Sequence, residues 1–121
     1  MLALIPNALD QFLEADDGQP IVMLNLLRFK PDGGRERYAE YIAAVTPIGD
    51  EYGVEPTYFG DGLPALSAED GQAWDAVLLV RYPNRGAFVA MLTDARYEQT
   101  AGPLREAALV EAVLQPLQTR G

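Results

Sequence analysis

The chain has 121 residues, 49% of them hydrophobic, and its 18 acidic residues against 9 basic ones give a formal net charge of −9. That length suits one domain, 1–121, with one sizeable core; the unclustered bases argue against nucleic acid, whose backbone demands a basic stripe, and no segment reaches the ~18 apolar residues of a membrane span. The chain has no histidine and no cysteine, which removes histidine general bases, Ser-His-Asp triads, histidine-ligated haem, disulfides, thiolate nucleophiles and the usual zinc sites.

Met1-Leu2-Ala3-Leu4-Ile5 lacks a basic start and is cut short by Pro6, so no signal peptide is expected and the default compartment is the cytoplasm. Asn7 is placed to cap a short helix carrying Leu9, Phe12 and Leu13 at helical spacing. This helix forms an N-terminal extension, 1–19, ahead of a core spanning 20–117. Asp16-Asp17-Gly18 and Pro20 then turn the chain into Ile21-Val22-Met23-Leu24-Asn25-Leu26-Leu27-Arg28-Phe29-Lys30, apolar on both residue parities and therefore a central strand buried on both faces. Asn25 is the one amide inside that burial, and it requires either a fixed partner or a cavity that holds one.

Arg35 to Tyr52 places Tyr38, Tyr41, Ile42, Val45, Ile48 and Tyr52 on one helical stripe, with Pro47 expected to kink it and Gly53 to end it in a left-handed cap. Val54 to Ala68 reads as a bulged or edge strand because of Gly60-Asp61-Gly62 and Pro64. Trp74 to Tyr82 is a second core strand, again apolar on both parities. Asn84 caps a helix from Arg85 that carries Phe88, Met91 and Leu92; Asp94 opens a short turn through Tyr97, and Gly102-Pro103 opens one further helical turn. Leu109 to Gln115 is a last strand, ended by Pro116.

The order strand, helix, strand, strand, helix, strand is the ferredoxin-like α+β pattern, a βαββαβ sandwich with a four-stranded antiparallel sheet and helices on one face. The first and third strands are expected to form its central pair, running parallel. Helices on one side leave the other face of two wholly apolar strands open, and a second copy of the sheet would cover it; a homodimer built as a dimeric α/β barrel is the expected assembly.

Val22-Met23-Leu24-Asn25-Leu26-Leu27-Arg28-Phe29, then Tyr38 and Tyr41, then Trp74-Asp75-Ala76-Val77 and Leu79-Val80-Arg81-Tyr82-Pro83-Asn84-Arg85 resemble the family known as domain of unknown function 1330. The resemblance runs roughly from Phe12 to Pro116. It implies the dimeric α/β barrel superfamily, whose members include cofactor-free monooxygenases, isomerases, cyclases and haem enzymes. The lack of histidine separates this chain from the histidine-ligated haem branch and from relatives that use a histidine base.

Strand alternation groups Asn25 with Met23, Leu27 and Phe29, and Arg81 with Val77 and Leu79. With Val22, Leu24, Leu26 and Ala76, Leu78, Val80 assigned to the helix side, Asn25 and Arg81 would both point into the barrel. There an arginine fork beside an amide suits a carboxylate, enolate or carbonyl oxygen. The alternative is a hydrogen-bond network that closes the barrel or the dimer seam. Tyr58, Tyr41, Trp74 and Gln115 are the candidate pocket walls, and no metal or other cofactor is expected. Arg28, of opposite parity to Asn25, is expected towards the helices in a structural ion pair. The resulting functional expectation is a small cofactor-independent enzyme acting on an oxygenated organic molecule; the alternative is a non-catalytic binding or dimeric structural module.

Overall fold

In a computed structural model that describes residues 4–120, the elements run α1 (Ala8–Glu14), β1 (Ile21–Phe29), α2 (Gly34–Glu51), β2 (Glu55–Asp61), β3 (Ala76–Tyr82), α3 (Arg85–Leu92), a π-helical turn (Tyr97–Ala101), α4 (Gly102–Ala108) and β4 (Leu109–Leu117). The expectation that Met1-Leu2-Ala3 starts no signal peptide falls outside the described residues. The strands form one sheet in the order β2-β3-β1-β4, every neighbouring pair antiparallel. This is the ferredoxin-like α+β arrangement. The expected parallel pairing of the first and third strands is corrected: β1 and β3 are central but antiparallel, with Ile21 opposite Tyr82 and Leu27 opposite Ala76. The hairpin that reverses the chain between β2 and β3 dictates this, because β2 lies parallel to β1 only with β3 running the other way between them. No helix is long and apolar enough among the described residues to cross a membrane.

The helices lie on one face, and the core sits beneath them. Ile21, Met23, Leu27 and Phe29 of β1 and Ala76, Leu78, Val80 and Tyr82 of β3 are buried there against Tyr38, Tyr41 and Ile48 of α2 and Phe88 and Met91 of α3. Aromatic rings fasten these layers edge to face: Tyr82 to Phe88 at 5.1 Å and Phe12 to Phe88 at 5.9 Å, each worth about 0.5–1.5 kcal/mol beyond burial. Gly34 lets α2 start hard against the end of α4, where a Cβ would meet the Ala108 carbonyl at 2.7 Å. That carbonyl accepts the Lys30 N–H at 2.9 Å, tying the end of β1 to the end of α4.

Other local expectations resolve individually. Asn84 caps α3, accepting the Ala87 N–H at 2.8 Å, and Gly53 has φ +72° after α2. Asn7 makes no side-chain cap; it sits before α1 in the left-handed region at φ 65°, and its carbonyl accepts the Gln11 N–H. α2 runs unbroken through Pro47, which lies on its exposed side, where water can reach the carbonyl that lacks a donor. β2 is an edge strand with a bulge between Pro56 and Tyr58, but it stops at Asp61, short of the expected Ala68. β4 extends to Leu117 past Pro116, which an edge strand tolerates because its outer side needs no donor.

Candidate functional site

β3 lies as the alternation predicts, with Val77, Leu79 and Arg81 on the open face of the sheet and Ala76, Leu78 and Val80 on the helix side. β1 is turned over relative to the expectation. Asn25 is directly opposite Leu78, so it shares the helix-facing side with Met23 and Leu27, while Val22, Leu24 and Leu26 line the open face. The cause lies at the strand ends: the parity of Asn25 begins with Ile21 and finishes with Phe29, two bulky apolar side chains that the core takes up, whereas the other parity finishes with the charged Arg28. Asn25 and Arg81 therefore occupy opposite faces and do not converge.

Asn25 is 6% exposed and is the one buried polar side chain among the described residues. Its Nδ2 donates to the carbonyls of Met23 and Leu78, both at 3.4 Å. Its Oδ1 accepts from Arg105 Nη2 at 3.3 Å. Arg105 comes from α4, is half-buried, and forms no ion pair with a described carboxylate. Beside this contact opens a cavity of about 790 Å³ between the helices and the β1–β4 side of the sheet. Tyr41, Tyr82, Tyr97, Phe88 and Met91 line its inner part; Glu98, Glu106 and Glu111 are its acidic residues.

The π-helical turn sets this geometry. Pro103 has no N–H to donate, and the Gly102 N–H reaches the Tyr97 carbonyl, five residues back. A Cβ on Gly102 would stand 3.2 Å from that oxygen. Tyr97 and Arg105 are eight residues apart, which an α-helix of about 3.6 residues per turn would set roughly 80° apart. The extra residue in the π turn makes the offset equivalent to a heptad, about 20°, and both side chains line the same cavity.

The tyrosines form a connected set. Tyr41 and Tyr97 hydroxyls lie 3.1 Å apart in a buried hydrogen bond, and the Tyr38 and Tyr41 rings stand 5.2 Å apart. The Tyr38 hydroxyl is buried without a hydrogen-bond partner among the described residues. Burial pushes the Tyr38 phenol up to about 12, partly offset by the Arg105 charge. Burial likewise raises Tyr41 and Tyr82 well above the ordinary tyrosine value. At neutral pH these phenols hold their protons. Tyr41 and Tyr82 line the cavity, and Arg105 supplies a positive charge to the same region.

The other predicted site residues are dispersed. Tyr41 lines the cavity. Tyr58 is 55% exposed on edge strand β2, on the open face opposite Leu79. Gln115 lies exposed on that face opposite Leu24. Trp74 stacks under the Arg28 guanidinium, 4.5 Å from the ring centre. Arg28 pairs with Glu111 at 3.1 Å and donates to the carbonyls of Gly71 and Ala73, tying down the loop before β3. The ion pair is present, but Arg28 lies on the open side rather than towards the helices. Arg105, Tyr82 and Tyr97 were not singled out from sequence; the signal that could have found them is Tyr97 followed by Gly102-Pro103, a proline positioned to widen a helix. Among the described residues no group of three or more carboxylates stands together as a metal site.

No protein-family model matches the chain, and no curated protein matches it. Among solved structures, a protein of unknown function from Rhodopseudomonas palustris, RPA0582, is 30% identical with a TM-score of 0.89, over 99% of this chain and 97% of that one. Dimeric ferredoxin-like proteins of unknown function also match. One from Jannaschia sp. CCS1 is 16% identical (TM-score 0.63, 83% of this chain and 99% of that one). One from Thermobifida fusca YX is 13% identical (TM-score 0.58, 85% and 93%). The latter two match in fold.

Each raised phenol favours the folded state while it keeps its proton. The unfolded chain ionises its tyrosines near 10, so the contribution is complete below that pH and is lost as pH rises from about 10 through the folded value of about 12 for Tyr38. Phenolate absorbance should accordingly show Tyr38, Tyr41 and Tyr82 ionising only at pH well above 10. These three tyrosines ionising together near pH 10 in the folded protein would contradict the site as described.

Proposed function

The chain belongs to the family of the Rhodopseudomonas palustris protein RPA0582, and from that premise we propose that it is a small cofactor-independent enzyme acting on an oxygenated organic molecule held in the helix-side cavity. The observation that carries this reading is the half-buried Arg105, unpaired with any described carboxylate and fixed against the buried Asn25 amide. A guanidinium aimed into a partly apolar cavity has its natural complement in a carboxylate, enolate or polarised carbonyl. Asn25 acts as the positioning residue. The hydrogen-bonded pair of Tyr41 and Tyr97 leaves one O–H to donate, so negative charge developing on a substrate oxygen would be stabilised without metal or prosthetic group. Glu98 and Glu106, on the same cavity wall, are the carboxylates available to take a proton. The same reading places the family within domain of unknown function 1330 and the protein in the cytoplasm.

The raised phenols favour a second reading, binding without turnover, because groups that hold their protons donate hydrogen bonds but do not abstract hydrogen. Deuterium exchange separates the two. An enzyme of this kind exchanges the α-hydrogen of a bound ketone or 1,3-dicarbonyl compound in deuterium oxide; a binding module takes up the compound and exchanges nothing. Arg105→Leu should weaken binding of small carboxylates and dicarbonyls by at least about tenfold, since a hydrogen bond to a charged group contributes about 1.5–3 kcal/mol. Unchanged binding together with a stability loss of about 1–3 kcal/mol, the cost of leaving the Asn25 oxygen bare, would make Arg105 a structural strut and end the proposal.

Self-association belongs to the same reading. Val22, Leu24, Leu26, Val77, Leu79 and Val113 make the open face of the sheet apolar, with Arg81 at its edge opposite Val22. A second copy of this sheet is the cover that such a face calls for. Leu27, expected on the interface, is 0% exposed on the helix side and reports on the core instead. Light scattering should give twice the 13.2 kDa of one chain. Leu79→Glu, which places a charge in the covered face, should return the mass to one chain. A fully dimeric Leu79→Glu protein of unchanged stability would exclude this interface.

A further inference from the structure

A second cavity on the helix side bears on what is attached to the bound oxygen, an inference that rests on the reading of Arg105 and Asn25 above. It lies between α2 and strands β2 and β3 and has a volume of about 130 Å³. Its inner wall is aliphatic, built from Ile42, Val45, Val54, Leu78 and Val80, with the exposed Thr46 and Asp50 at its rim. Tyr41, Tyr82 and Met91 line this cavity and the larger one alike, so the two adjoin across these three side chains. Leu78, whose carbonyl accepts the Asn25 amide, forms part of the smaller cavity's wall. Asn25 and the Leu78 part of the chamber wall therefore stand one strand spacing apart, roughly 5 Å.

We infer that the ligand is amphipathic: a carboxylate or carbonyl group on Arg105 and Asn25, and an apolar tail of phenyl or five- to six-carbon size passing between Tyr41, Tyr82 and Met91 into the smaller cavity. The size follows from the volume, close to the ~150 Å³ apolar cavity that stays dry and takes up benzene. The direction follows from charge, because a tail lying the other way would run along Glu98 and Glu106, whereas the smaller cavity carries a carboxylate, Asp50, only at its exposed rim. Passage is open to a ligand because Met91 is unbranched and turns about three side-chain bonds at little cost. Each methylene buried in the chamber raises affinity roughly fourfold.

Titration calorimetry with acetate, butyrate, hexanoate and phenylacetate tests this. Affinity should climb by at least tenfold from acetate to hexanoate and phenylacetate. Val45→Phe, which fills the chamber, should return the long acids to the affinity of acetate while leaving acetate itself unchanged. Val54→Leu is the milder filling variant, and it should remove part of the same gain if Val45→Phe does not fold. Benzene, which has no oxygen, reads the chamber alone: it should raise the thermal midpoint of the native protein and not of the filled variant. Four acids binding equally well, with Arg105→Leu still abolishing that binding, would overturn the tail inference and leave the oxyanion site standing. A tail-dependent gain that survives both filling variants would overturn it too. No binding of any acid would overturn both readings together.

Discussion

A single amide on the central strand constrains the helix side of this molecule. Asn25 is buried in the middle of β1, and its two N–H donors go to main-chain carbonyls of its own strand and of β3. Its oxygen is left for one further donor, which Arg105 supplies from α4. Leaving that oxygen bare would cost about 1–3 kcal/mol, so the amide draws α4 and its guanidinium against the sheet. The wider π turn ahead of α4 allows Tyr97 to share the same wall. A cavity lined by phenols, a guanidinium and an amide follows from one polar side chain placed where an aliphatic one would have packed.

The two faces of the sheet carry different burdens. The helix side combines a packed aromatic core with the polar cavity. The open side is aliphatic across β1, β3 and β4, with Arg28, Arg81 and Glu111 at its margins. Arg28 illustrates how firmly that margin is fixed. It pairs with Glu111, stacks on Trp74 and holds the carbonyls of the loop before β3. Asp75 ties the same corner from the other direction, its carboxylate accepting the Phe29 N–H at 2.9 Å and its own N–H reaching the Leu27 carbonyl at 2.9 Å. The acidic balance of the chain lies mostly outside this framework, on exposed surface.

Much of the architecture was legible in the residues. Two strands apolar on both parities, the tyrosine stripe of α2 and the caps at Asn84 and Gly53 suffice to order the elements and to put the helices on one face. Strand direction was misjudged because the apolar runs carry no polarity of their own; the hairpin between β2 and β3 decides it. The parity of β1 was misjudged because Val22, Leu24 and Leu26 are as aliphatic as the set they face away from. Only the terminal residues, Phe29 against Arg28, distinguish the sides. Asn25 was identified from its burial alone, but its partner was not. Arg105 lies eighty residues away, on a helix whose register the π turn shifts, and such a shift leaves its trace only in Gly102-Pro103.

What most sets the proposed site apart is its place between sheet and helices and not on the open face. A crystal structure of the protein with phenylacetate measures this directly. The carboxylate is predicted within hydrogen-bond reach of Arg105, with the ring beyond Tyr41, Tyr82 and Met91. A carboxylate bound to Arg81 on the open face, with the helix-side cavity free of ligand, would contradict it.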